Sequence, residues 1–469
     1  MRSTRRVIPV GLALAAVLAS CSVSSSDDDA DTSDTTVATV ATSDAVTTEP
    51  ADTTSGADTT EVADTAPAAD TTEPPAPARG VTEDTIKIGG AFIDVDAVRE
   101  QFGVELGNTP EEMIPALIAG LNADGGINGR QVEYVGRLVV PVGTESSEQA
   151  CRELIEDEEV FAVVGTFLGD TGLCVTETYA TPYFGGFGLT PERQERSEAP
   201  FLTTALNEAD ALSEGVQLLI DNGQLDGAKV AVYSEAAGYT QEFIDTYVVA
   251  PLEAAGIEVV ANAQLTDTGG DQVAAGAELD RILQSFEAAG ADTLLETGGM
   301  ITFAPALERT DYAPQLIILN GQILAPDAVE GFALTNPDEL IGALGVIEGV
   351  LASEIQDDPV LAECIEWINE NSDLAVTPAD ILTVEEAPES RDYRNLPALC
   401  GIFQLVRTVL TEAGDNPSSE SILAGLDGLT SFPAVGNPDA SLSSERWGAG
   451  APVRLWEYDQ EQVRFLPAS

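Results

Sequence analysis

The sequence predicts an α/β body of two doubly wound parallel-sheet lobes, carried behind a leader and a tether that build no core. Three observations predict it. Short apolar runs ending in glycine alternate with helical patterns, and they do so in two separate series, over 85–187 and 228–319. Such alternation builds parallel sheets covered by helices on both faces. The body from about Gly80 to Ser469 is large for one core and comfortable for two.

The leader comes first. Arg2, Arg5 and Arg6 precede the apolar stretch Val7 to Leu18, which runs into Leu18-Ala19-Ser20-Cys21. A charged start and a short apolar run describe an export signal, and small residues ahead of a cysteine fit cleavage before a lipid-carrying thiol. Residues 1–20 are therefore expected to be a lipoprotein signal peptide, with Cys21 the lipidated residue and the anchor to the extracytoplasmic face of the cell membrane. The apolar run is shorter than the roughly 20 residues that span a bilayer. An ordinary signal peptide with an incidental cysteine, or a short transmembrane anchor, is the alternative. Residues 21–80 follow as a disordered tether of Thr, Asp, Ala, Ser, Glu and Pro, thirteen of them acids. Low hydropathy and like charges keep such a segment solvated and extended; a glycosylated stalk is the other reading.

Composition excludes several classes of function. Twenty basic residues stand against eighty acidic ones, the lysines are Lys87 and Lys229, and there is no histidine. Phosphate contacts need clustered Lys and Arg, so nucleic acid is not expected as a partner. Without histidine there is no Ser-His-Asp or Cys-His arrangement and no zinc site built on imidazole; no phosphate-binding loop with its lysine occurs either. A carboxylate pair for glycoside hydrolysis is the remaining catalytic route. The expectation is a protein that is not an enzyme, with no metal and no cofactor. The acidity reads as a solvated surface suited to salty surroundings, or as attraction for a cationic ligand. Cys151, Cys174, Cys364 and Cys400 are an even set in an exported chain, which points to disulfides. Three pairings are open; proximity favours Cys151 with Cys174 and Cys364 with Cys400, and four free thiols are the alternative.

In the first series, Thr85 to Phe92 reads as a strand with a glycine-rich exit. Thr109-Pro110-Glu111-Glu112 suits a helix start, and Met113, Leu117 and Leu121 lie at helical spacing before the stop at Asp124-Gly125-Gly126. A strand over Gln131 to Val140 and a helix around Ser147 to Asp157 follow. Phe161 to Gly165 is short and wholly apolar, as a buried parallel strand is. A helix through Cys174 to Tyr179 and a strand from Pro182 to Phe187 complete the series. In the second, strands are expected at Ala228 to Tyr233, Ile257 to Val260, Asp292 to Glu296 and Gln315 to Leu319. Helices lie between them at Gln241 to Ala255 and Glu278 to Ala289. Ligands of open parallel sheets bind beyond the carboxyl ends of the strands, which makes the cleft between the lobes the expected site.

Two blocks carry a family resemblance. The run Gly80-Val81-Thr82-Glu83-Asp84-Thr85-Ile86-Lys87-Ile88-Gly89 resembles the opening of the leucine/isoleucine/valine-binding proteins, the type I periplasmic solute receptors of ABC importers. Leu121-Asn122-Ala123-Asp124-Gly125-Gly126-Ile127-Asn128-Gly129-Arg130 is similar to that family's turn between first helix and second strand. The resemblance implies two lobes joined by three crossings that close on a small solute like a hinge, a monomer, and ABC permease subunits as partners. It also implies a disulfide between Cys151 and Cys174, which flank the third strand. Lobe 1 is expected at 81–203 with 344–425, and lobe 2 at 204–343 with 426–469. Helices over Ala362 to Asn369 and Leu399 to Ala413 return to lobe 1, and Val453 to Tyr458 is a late strand near the hinge.

The resemblance places the ligand contacts at Thr166, Phe167 and Leu168 after the third strand, Gly186 and Phe187 at the end of the fourth, and Tyr239, Gly299, Met300, Asn320 and Gln322 in the second lobe, with Asp94 at the first strand's exit. Amino-acid binders of the family place an acid where Asn320-Gly321-Gln322 stands. A branched-chain amino acid would thus need its ammonium partner elsewhere, at Asp94, Asp170 or Glu296; amides and small organic molecules are the other candidates. Thr166 and Thr171 also suit a helix cap, Phe187 a core position, and Asn320 with Gln322 a turn. A sensor ectodomain or an adhesive surface lipoprotein with a vestigial cleft is the alternative function.

Overall fold

The computed structural model describes residues 78–102, 112–140, 144–236, 238–266, 268, 271–298, 300–319, 340–350, 353–382, 393 and 395–468. The leader, Cys21 and nearly all of the tether lie outside them, as do the Thr109-Pro110 helix start and Asn320 with Gln322.

The first sheet has the order β2-β1-β3-β4-β5. Its strands are β1 (Thr85–Ile93), β2 (Gln131–Val139), β3 (Ala162–Gly165), β4 (Tyr183–Gly185) and β5 (Phe201–Thr203), all parallel. Every residue of β3 is buried, because helices cover both faces. These are α1 (Val95–Phe102), α2 (Met113–Ala123), α3 (Glu145–Arg152), α4 (Pro191–Arg196), α10 (Pro359–Asn371), α11 (Leu396–Glu412) and α12 (Ser419–Leu426). Met113, Leu117 and Leu121 form the expected buried stripe of α2. Gly120 lets α10 approach, since a Cβ there would run into Trp367. Asp358 starts α10 by accepting the amides of Val360 and Leu361 ahead of the first-turn Pro359. Wide π-type turns at Glu153–Asp157 and Cys174–Thr178 replace regular helix on either side of β3. Disulfides join Cys151 to Cys174 and Cys364 to Cys400, the pairing that proximity favours.

The second sheet has the order β14-β13-β10-β9-β8-β6-β7. Strands β6 (Lys229–Glu235), β7 (Glu258–Leu265), β8 (Thr293–Glu296), β9 (Gln315–Ile318) and β10 (Leu344–Glu348) are parallel. Strands β13 (Val453–Asp459) and β14 (Arg464–Pro467) add an antiparallel edge. Helices α5 (Glu208–Asp221), α6 (Gln241–Ile244), α7 (Ala250–Ala254), α8 (Gln272–Ala289) and α9 (Met300–Leu307) complete this lobe. Asp271 accepts the amides of Val273 and Ala274, so α8 starts several residues before Glu278. A short hairpin of β11 (Phe432–Ala434) and β12 (Asn437–Ala440) stands apart from both sheets.

The crossings differ from the sequence boundaries 344 and 426. The apolar strand β10 inserts between β9 and β13, so the chain leaves the second lobe after Glu348 rather than before Leu344. Phe432, Ala440, Leu442, Trp447 and Ala449 pack into the first lobe's core, so the last crossing follows Ala449. At the junction Thr203 and Gly448 form an isolated parallel bridge. The amide of Thr203 donates to Trp447 O at 3.1 Å and that of Ala449 to Thr203 O at 2.9 Å.

Candidate functional site

Loops at the carboxyl ends of β3 and β4 meet the loop at the carboxyl end of β6. Arg193 on α4 is 7% exposed. Its Nη1 donates to Gly188 O at 2.8 Å and its Nε to Asp170 Oδ1 at 2.9 Å, both in the first lobe; its Nη2 reaches Gly238 O in the second at 3.4 Å. Glu208, at the start of α5 and also buried, works from the other side. Its Oε1 accepts from the Gly188 amide of the first lobe at 3.2 Å, and its Oε2 from the Tyr239 hydroxyl of the second at 2.7 Å. Gly188 has φ 91°, a conformation that favours glycine and turns its amide and carbonyl to these two partners.

The expected site residues stand in different surroundings. Gly186, Phe187 and Tyr239 stand half-buried around this contact. Gly186 O accepts from the Thr204 hydroxyl and the Ala205 amide, which ties the β4 exit to the first crossing. The ring of Tyr239 stacks on Phe243 at 5.1 Å. Thr166 is half-buried and its amide donates to Ala91 O, while Leu168 is 39% exposed. Phe167 is 2% exposed and packs edge-on against Tyr183 at 5.6 Å, so its ring belongs to the core. Asp94 accepts from the Ala97 amide and caps α1. Asp170 is engaged by Arg193 and Arg196. Gly299, Asn320 and Gln322 lie outside the described residues, as does the side chain of Met300.

Glu296 ends β8 with no exposure. Its Oε1 accepts from the Gly298 amide at 2.7 Å, and no hydrogen-bond partner meets Oε2 among the described residues. Burial pushes its carboxyl up to about 8, the Gly298 amide opposes the shift, and nearby Glu235 adds to it. Glu296 is thus poised as a neutral acid at neutral pH. Arg193 and Glu208 were missed by sequence reasoning: each looks like an ordinary helix residue beside a cap (Thr190 before α4, Asn207 before α5), and the cross-lobe partners are visible only once both sheets are assembled.

Among the described residues no cluster of His, Cys, Asp and Glu is arranged to hold a metal ion, and no helix is long and apolar enough to cross a membrane.

Comparison with solved structures gives the same architecture. A periplasmic binding protein type 1 from Bordetella pertussis Tohama I is similar at TM-score 0.59 and 18% identity, covering 82% of this chain and 100% of that one. A solute-binding protein of an ABC transporter from R. palustris, in complex with 4-hydroxybenzoate, gives 0.58 and 17%, covering 82% and 96%. A leucine-binding protein from Thermotoga maritima gives 0.57 and 13%, covering 82% and 98%. Among curated proteins none matches the sequence. The family model described as periplasmic binding protein matches residues 111–347, half of the chain. With the two parallel-sheet lobes and their meeting loops, that match makes the chain a member of the periplasmic binding protein family.

Proposed function

We propose that this protein is a lipid-anchored extracytoplasmic receptor that binds a small polar solute between its lobes, without altering it, and presents it to an ABC permease. One observation carries the reading: loops from the carboxyl ends of both sheets meet through Arg193 with Gly238 and through Glu208 with Gly188 and Tyr239. A solute entering there touches both lobes, and contact with both is what makes binding favour closure. Cys21 is the lipid site in this reading, and the tether holds the body off the membrane.

The solute is a branched-chain amino acid, a related amide or a small organic molecule. Relatives of this fold include one solved with 4-hydroxybenzoate and one described as leucine-binding, so the fold accommodates both chemistries. Thr166, Leu168, Gly186, Phe187 and Tyr239 are the proposed contacts from the described residues, Phe167 contributing backbone only. Gly299, Met300, Asn320 and Gln322 complete the set from the second lobe, and Asp94 is the candidate ammonium partner, Glu296 being fully buried and neutral at neutral pH.

A thermal-shift screen of the protein against amino acids, amides, polyamines, nucleosides and aromatic acids tests it. A ligand that binds the native state alone raises its stability by about 2.7 kcal/mol at a hundred times the dissociation constant. A shift with at least one class is the expected result. The absence of any shift, at low and high salt, would count against a receptor.

A further inference from the structure

Of the three chain crossings that join the lobes, the second starts from a side chain bonded to the other two. Glu348 is the last residue of β10, where the chain leaves the second sheet. Its Oε2 accepts from the Leu206 amide in the first crossing at 2.8 Å, and its Oε1 from the Ala451 amide in the third at 2.8 Å. The first and third crossings are themselves joined backbone to backbone through Thr203, Trp447 and Ala449. The fit is close: a Cβ at Gly450 would strike Glu348 Oε1 and the Leu206 amide, and one at Gly448 would strike Ala205 O and the Asn207 amide.

We propose that Glu348 is the pivot of the hinge, a positioning residue whose carboxyl group, when ionised, holds the three crossings in one relative placement and so sets the angle at which the ligand-free lobes rest. Hinges absorb motion at a few chain positions, and a charged acceptor bonded to two amides is stronger than a neutral one. Glutamine has the same size but one acceptor oxygen. Its NH2 group must face one of the two amides, donor against donor, and that crossing is released.

The charges around the pivot make it responsive to pH. Glu208 and Glu214 face it from α5. On the third crossing Arg446 is turned to the carbonyls of Gly448 and Gly450, and on β13 Arg454 is paired with Glu354. Enclosure pushes the Glu348 carboxyl up to about 8, the two amides opposing and the two α5 acids reinforcing the shift. Above that value both oxygens are full acceptors; below it one becomes a hydroxyl and its clamp on an amide weakens.

The test needs no solute, so it stands apart from the cleft reading, on which only the pivot's role in solute binding rests. Leu138 on β2 and Val273 on α8 are 68% and 84% exposed, one on each lobe. Spin labels on Leu138→Cys and Val273→Cys, in the full chain carrying Cys21→Ser, report the interlobe distance at pH 6.5 and 9.5. The expected result is a distribution that changes with pH in the parent and is the same at both pH values in Glu348→Gln, displaced from the parent's high-pH form. Gly450→Ala, which wedges the third crossing off the carboxylate, is expected to displace it at pH 9.5 also and decides the matter if Glu348→Gln fails to fold. Distributions identical to the parent's in the variants that fold would overturn the pivot. A solute that still shortens the distance in that event leaves the receptor reading standing.

Discussion

At the scale of single residues, the buried acids dominate the chemistry. Glu296 holds a proton in the folded state that it has lost in the unfolded chain over the range from about 4.5 to about 8. A carboxyl with a raised folded value favours the fold fully below the unfolded value, and that contribution is lost as pH rises through the folded one. Glu296→Gln keeps an oxygen for the Gly298 amide and cannot ionise. Its melting temperature relative to the parent is therefore expected to climb as pH goes from 5 to 9, and a difference that is flat with pH would show that Glu296 is already ionised in the fold. Tyr239→Phe removes the hydroxyl from Glu208 Oε2. A hydrogen bond to a charged group contributes about 1.5–3 kcal/mol, so denaturant unfolding is expected to show a loss near the lower figure at this half-buried ring. Little of this was legible in the sequence. Tyr239 was placed in the site by the family resemblance, whereas Glu208 and Arg193 gain their meaning from partners on the opposite lobe. Phe167 illustrates the reverse error: apolar residues after a buried strand suit a pocket wall and a core equally, and the neighbouring Tyr183 decided for the core.

At the scale of elements, local pattern carried most of the information. The strands β1, β3, β6, β8 and β9 and the helix α2 lie within a few residues of where apolar period put them, and α10 and α11 where the family resemblance did, because each buries a face defined within its own residues. Strands β5, β10, β11, β12 and β14 were not anticipated: each is three to five residues long, too short to show a period of its own. The packing of α2 on α10 leaves no room for a side chain at residue 120. Gly120→Val places new atoms against Trp367 and is expected to cost about 1–3 kcal/mol by overpacking, read as a lower denaturation midpoint with an unchanged slope. Each disulfide closes a modest loop, 23 residues for Cys151–Cys174 and 36 for Cys364–Cys400. Replacing either pair by serine is expected to cost on the order of 3 kcal/mol on the chain-entropy account, and unfolding under reducing and oxidising conditions measures it.

At the scale of the whole molecule, a formal charge of −60 sets the response to solvent. Mutual repulsion of the acids is screened over about 10 Å at 0.1 M salt, so the melting temperature is expected to rise from low to moderate ionic strength; a fall would show that the ion pairs of Arg137, Arg193 and Arg196 outweigh the repulsion. The two-lobe class was readable because the alternation restarts at Ala228, but the points of crossing were not, since they depend on which sheet β10 and the 432–449 segment join. That interleaving bears on the order of folding. The first lobe's sheet begins at Thr85, yet its core waits for Phe432, Trp447 and Ala449, and the second sheet waits for β13 and β14 beyond them. Both cores are therefore completed by one late stretch, residues 432–467, so the two lobes finish folding together rather than one after the other.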